Sequence, residues 1–155
     1  MQHPAGLPRS VSLDDLFRGL PVVFRQAFER LQESQFYPQG ALLFSEEHAG
    51  AGIFVLHSGS VKVAESVVPG KPQAAVVALP GEILGVAAAV AGEHYESAAL
   101  TLEPAEVGYV SRRRLLDFLR EHSAVAFRLV ELLSHALSLT IDQTGSIVLR
   151  EDTKH

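Results

Sequence analysis

Cysteine is absent from the 155 residues, which removes thiolate nucleophiles, disulfides, thiolate zinc sites and cysteine-ligated clusters together. Histidine is the next candidate for metal or proton chemistry, with seven copies. His48, His57, His94, His122 and His135 are scattered, with no pair at the i, i+4 or H-x-H spacing that sets two imidazoles on one ion. They read as surface or hydrogen-bonded side chains, and no metal is assigned. Glu93 and Glu96 lie close enough to suggest a general acid and base. They sit in a loop-like stretch without a nucleophile or a His–Asp partner nearby, so solvated loop charges are expected. The chain has neither a glycine loop with a phosphate-binding lysine nor a G-x-S-x-G elbow, and an enzyme is not expected. Arg112-Arg113-Arg114 is a basic run at the start of a helix. Against 18 acidic and 13 basic residues, a net charge of -5, it reads as a solvated face rather than a nucleic-acid footprint. The remaining candidate is Leu79-Pro80-Gly81-Glu82, with the small and apolar residues that follow it. It is either a binding loop or a plain Pro-Gly turn.

The elements that would position these residues come in a clear order. Residues 1–12, with Pro4, Gly6 and Pro8, are expected to form a flexible arm. Ser12 is placed to cap a short helix carrying Leu13, Leu16, Phe17 and Leu20, with Asp14 and Asp15 in its first turn. Gly19 and Pro21 break it, and Val23, Phe24, Ala27, Phe28 and Leu31 then carry a second helix. Across 35–110 short apolar runs alternate with turn glycines. They predict antiparallel strands, of which Val61-Lys62-Val63 shows the alternation of a half-buried one. Within that region 82–91 is apolar, small and weakly helical, closed by Gly92. Ser111 caps a helix with Leu115, Leu116, Phe118 and Leu119.

The last helix, 123–141, is the most regular feature. Val125, Leu129, Leu132, Ala136 and Leu139 form one stripe at spacings of four and three, and a second runs through Ala126, Val130, Leu133, Leu137 and Ile141. The combined face is wider than packing on one side of a domain usually needs, so a self-pairing seam on the first stripe is expected. A polar tail, 142–155, ends the sequence, which leaves 13–141 as the one folded domain. An N-terminus without a basic-then-apolar leader, and no apolar run long enough to span a bilayer, lead to the expectation of a cytoplasmic protein with no membrane partner.

Taken together, helices, strand-rich roll, small-residue insert, two strands and a long amphipathic helix resemble the sensor domain of CRP/FNR-type cyclic-nucleotide-binding regulators over 13–139. Particular residues carry the likeness: Leu16-Phe17, Gly40 before a Leu-Leu-Phe strand, and Phe54-Val55-Leu56-His57-Ser58-Gly59-Ser60-Val61-Lys62-Val63. Leu79-Pro80-Gly81-Glu82-Ile83-Leu84-Gly85 is similar to the start of the family's phosphate-binding cassette, and Ser97-Ala98-Ala99-Leu100-Thr101 to its exit strand. The resemblance implies a mainly β fold, a double-stranded β-helix or jelly-roll-like β-roll with N-terminal helices and a C-terminal dimerisation helix. It also implies a candidate cassette of Gly81, Glu82, Gly85, Val86, Glu96, Ser97 and Ala98.

The family's nucleotide binders place a ribose-binding glutamate after the second cassette glycine and a phosphate-binding arginine just before the exit strand. Here Val86 and Glu96 stand at those positions. Losing the cationic partner of a buried phosphate costs about 2–5 kcal/mol. A carboxylate ~4 Å away adds roughly 4 kcal/mol of repulsion at an effective dielectric of 20. The expectation is a non-catalytic, homodimeric regulatory module with a degenerate pocket, no bound cofactor and no DNA-reading domain of its own. Two alternatives stay open. One is a genuine receptor for cyclic AMP, cyclic GMP or another small anion at a shifted site. The other is an interaction protein that pairs with a full-length CRP/FNR regulator.

Overall fold

The computed structural model describes the backbone of residues 11–65 and 75–144, and the side chains of 11–64 and 75–136. A two-residue strand β1 (Val11–Ser12) leads into α1 (Leu13–Phe17) and α2 (Val22–Leu31). The roll follows as β2 (Glu33–Tyr37), β3 (Leu42–Phe44), β4 (Gly52–Ser58), β5 (Val61–Glu65), β6 (Ala75–Ala78) and β7 (Glu82–Leu84). Then come α3 (Val86–Ala91), β8 (Ser97–Thr101), β9 (Ala105–Ser111), α4 (Arg112–Glu121) and α5 (Ser123–Thr144). The strands pair antiparallel in two sheets, ordered β1-β7-β4-β9-β2 and β3-β8-β5-β6. The expected β-roll with helices before and after it is therefore present.

Strand β4 shows why the roll closes. Ile53 and Val55 point into a core shared with the helices, while Phe54 and Leu56 point into the core between the sheets. Side chains alternate along a strand, so an apolar run without polar interruptions is what a strand covered on both faces requires. Each such residue, fully buried, contributes about 1.5–3 kcal/mol. On the helical side Phe28 is clasped by Phe17 and Phe118, each at a centroid distance of 5.5 Å.

Both predicted serine caps form. The Ser12 side chain accepts from the Asp15 N–H at 3.0 Å and that of Ser111 from the Arg114 N–H at 3.3 Å. Val11 and Ser12, expected in the arm, are instead paired to Ile83 and Glu82 of β7; residues 1–10 and 145–155 of the expected arm and tail lie outside the described residues. The expected weak helix over 82–91 is also divided. Glu82, Ile83 and Leu84 belong to the five-stranded sheet, and Gly85, at φ +85°, turns the chain into α3.

The largest correction concerns α5. Val125 is 0% exposed and Leu129 5%, both packed into the monomer's own helical core, with Leu132 half-buried against it. Val125, Leu129 and Leu132 of the stripe expected to pair with a second copy thus pack into the monomer's own helical core. Ala136 is half-buried, and the side chain of Leu139 lies outside those described. Large apolar side chains left in solvent on this helix are Phe127, 65% exposed, and Val130, 58% exposed. With Ser134 they start a 3, 4, 3, 4 spacing that the sequence continues at Leu137 and Ile141, whose side chains are likewise outside those described.

Candidate functional site

One end of the roll holds a cavity of about 70 Å³ between the four-stranded sheet, β7 and α3. Drug-sized ligands occupy sites of ~300–1,000 Å³, so this space is small. Phe44, Ala78, Leu84, Ala88 and Tyr95 line it from the core between the sheets. Of the seven expected cassette residues, Glu82, Gly85, Val86, Glu96 and Ser97 line the cavity. Gly81 and Ala98 do not. Gly81 is a turn residue: its N–H donates to the Leu56 carbonyl at 2.8 Å, and its own carbonyl accepts from the Leu13 N–H at 2.8 Å. Ala98 is paired opposite Ala64 in the sheet.

Glu82 turns back on its own loop, a carboxylate oxygen accepting from the Leu79 N–H at 3.1 Å. Val86 is buried and belongs to the helical core. Its position is therefore apolar by packing as well as by residue type, and a carboxylate there would have to leave water. Glu96 is exposed. That lowers the repulsion expected for a phosphate at ~4 Å from roughly 4 kcal/mol towards the aqueous limit of about 1 kcal/mol. The missing arginine is then the larger penalty. Among the described lining residues there is no lysine, arginine or histidine.

Tyr95 is the residue that sequence reasoning missed. Its ring stacks on Phe44 at a centroid distance of 4.1 Å and 20° between planes. The hydroxyl donates to the Gly52 carbonyl at 2.7 Å and accepts from the Gly52 N–H at 3.3 Å. Burial pushes the phenol above its ordinary pKa, an effect that the backbone bond to Gly52 partly offsets. The ring also lies against Gly85, where a Cβ would come within 2.8 Å of it. The tyrosine thus ties the pocket floor to the start of β4. Its one local signal was an aromatic residue between Glu93 and Glu96, just before β8.

Arg112 departs from the expected solvated face: it is half-buried and donates from Nε to the Ala89 carbonyl at 2.7 Å. The histidines stay dispersed, His48 in its own turn and His57 on Gln32. No group of metal-ligating side chains gathers among the described residues, and no helix among them is long and apolar enough to cross a membrane.

Comparison with known proteins agrees with this fold. The family model for the cyclic nucleotide-binding domain matches residues 34–122. The transcriptional activatory protein AadR of Rhodopseudomonas palustris is 28% identical over 118 residues, covering 76% of this chain and 48% of its own length. This chain therefore spans about half of that relative. The catabolite activator protein of Thermus thermophilus superposes with a TM-score of 0.75 at 24% identity, covering 84% of this chain and 63% of that one. The sensor domain of the regulator DNR from Pseudomonas aeruginosa gives 0.67 at 22%, covering 83% and 86%. The N-terminal domain of a Streptomyces coelicolor transcriptional regulator gives 0.68 at 20%, covering 90% and 94%. With its family model spanning more than half the residues and the β-roll and flanking helices in place, the chain belongs to the cyclic nucleotide-binding domain family.

Proposed function

We propose that this chain is a non-catalytic, cytoplasmic regulatory module whose pocket no longer serves cyclic nucleotides and whose α5 pairs two copies. What supports the pocket half is the lining of one cavity: Val86, where the resemblance implies a ribose-binding glutamate, is packed into the apolar core, and Glu96, where it implies a phosphate-binding arginine, is acidic. Loss of the cationic partner alone, at about 2–5 kcal/mol, lowers affinity by roughly 1.5–3.5 decades. The cavity's small size and the Tyr95–Phe44 stack support a pocket occupied by its own side chains. A regulatory role agrees with the relatives, which are transcriptional regulators and activators.

Pairing is supported by Phe127 and Val130, two large apolar side chains one helical turn apart that stand in water on a helix already packed on its other face. Such a patch is self-complementary about a two-fold axis. Two measurements test the reading. Sedimentation equilibrium is expected to give a dimer for the wild type and a folded monomer for Val130→Glu; a wild-type monomer contradicts the pairing. Calorimetric titration with cyclic AMP is expected to give no saturable binding at micromolar ligand, and micromolar affinity contradicts the pocket half.

A further inference from the structure

Arg112 is the first residue of α4, yet its side chain serves α3. Its Nε donates to the Ala89 carbonyl at 2.7 Å, and Nη2 lies 3.5 Å from that of Val90. These carbonyls belong to the end of the pocket helix, where a short helix leaves acceptors unpaired and partial negative charge accumulates. Gly92 closes α3 at φ +76°, and a Cβ there would stand 3.0 Å from the guanidinium, so the glycine leaves room for it. The Arg112 backbone N–H donates at 2.7 Å to the Ala51 carbonyl, which also accepts from the Tyr109 hydroxyl at 3.1 Å. Next along the chain is Gly52, held at both its N–H and its carbonyl by Tyr95. A single residue thus touches the end of the pocket helix and the strand start that the pocket tyrosine grips. The same contact recurs twice. Arg114 reaches the Leu31 carbonyl at the end of α2 at 3.4 Å, and Arg128 reaches those of Asp15 and Arg18 at the end of α1 at 2.9 and 3.0 Å.

We propose that Arg112 is a latch joining α3 to α4, so that the pocket helix and the helical unit carrying α5 open as one part. Displacement of α3 then reaches α5 through a charged contact as well as through apolar packing. A six-residue helix cannot hold itself in water, and its order must come from such outside partners. The regulatory use of the latch rests on the function proposed above; the latch itself does not.

Native-state hydrogen exchange in rising urea, on the full chain, tests it. The reporting amides are Gly92 and Glu93, both bonded to the Ala88 carbonyl, with Val55 and Val110 in the central strands as references. In the wild type the α3 and α4 amides are expected to share one opening curve. In Arg112→Met the α3 amides should open about tenfold more readily, with α4 and the references unmoved. Arg112→Lys, which keeps the charge and loses the planar fork, should restore part of the protection. Separate α3 and α4 curves in the wild type overturn the latch. So does unchanged α3 exchange in Arg112→Met, or a uniform rise at every amide. If Arg112→Met does not fold, the wild-type curves and the lysine variant still decide. Sedimentation of the same samples reads α5 pairing independently, so a monomer with shared α3–α4 opening refutes the dimer and leaves the latch standing.

Discussion

Replacing Tyr95 with phenylalanine removes one oxygen and leaves the ring, which makes it a clean probe of the pocket floor. The hydroxyl is the partner of both the Gly52 carbonyl, at 2.7 Å, and the Gly52 N–H, at 3.3 Å. Both contacts are buried, so water does not replace what is lost, and deleting a buried hydrogen bond in this way costs about 1–3 kcal/mol. The stack on Phe44 and the contact with Gly85 depend on ring carbons and survive. Tyr95→Ala removes these as well and should cost about 3–5 kcal/mol. With a loss of about 2 kcal/mol and a urea slope of about 2 kcal/mol per molar, the middle of each range, the phenylalanine variant should lower the unfolding midpoint by roughly 1 M at an unchanged slope. The alanine variant should lower it about twice as far. A phenylalanine variant within about 0.2 M of wild type would show that the hydroxyl contacts carry no stability, and the reasoning about the pocket floor would fall. Equal losses for the two variants would show instead that ring packing contributes nothing.

Gly85→Ala should destabilise by more than about 2 kcal/mol, since its φ of +85° suits only glycine and the new Cβ would meet the Tyr95 ring at 2.8 Å; urea unfolding reads it. Tyr37, Tyr95 and Tyr109 all hold their protons more tightly in the fold, with burial the first cause in each. Above the ordinary value of 10 the unfolded chain deprotonates first, so this stability is complete below that pH and is lost as pH rises through the folded values. Urea midpoints should fall between about pH 9 and about pH 11, and an unchanged midpoint would contradict it. Ser111→Ala should cost about 1 kcal/mol through loss of the α4 cap to the Arg114 N–H, measured the same way.

Local signals carried far. Ser12 and Ser111 were legible as caps because the side chain bonds to an amide three residues on. The β4–β5 return was legible because glycine turns and alternation lie within one short stretch. Which face of α5 meets the roll was not legible. Two apolar stripes at nearly equal spacing look alike until a tertiary contact chooses, and here Phe118, Leu115 and the β4 side chains choose Val125 and Leu129. Tyr95 escaped notice because its partner Phe44 is remote in sequence. Arg112 looked like a surface charge because the carbonyls it reaches belong to another helix. That Glu82, Gly85, Val86, Glu96 and Ser97 share one cavity was legible from the order of residue types, but the burial of Val86 and the exposure of Glu96, which decide the electrostatics, are products of the fold.

That electrostatic balance is best tested by calorimetric titration of cyclic AMP into the wild type and into Glu96→Arg. The exposed position 96 accepts the change without disturbing the core, whereas Val86→Glu would bury a charge and confound the result. The expected wild-type dissociation constant is above roughly 100 μM, from the lost cationic partner, with Glu96→Arg tighter by about tenfold or more. Micromolar binding by the wild type, with no gain in Glu96→Arg, would contradict the claim that this pocket has left cyclic-nucleotide recognition.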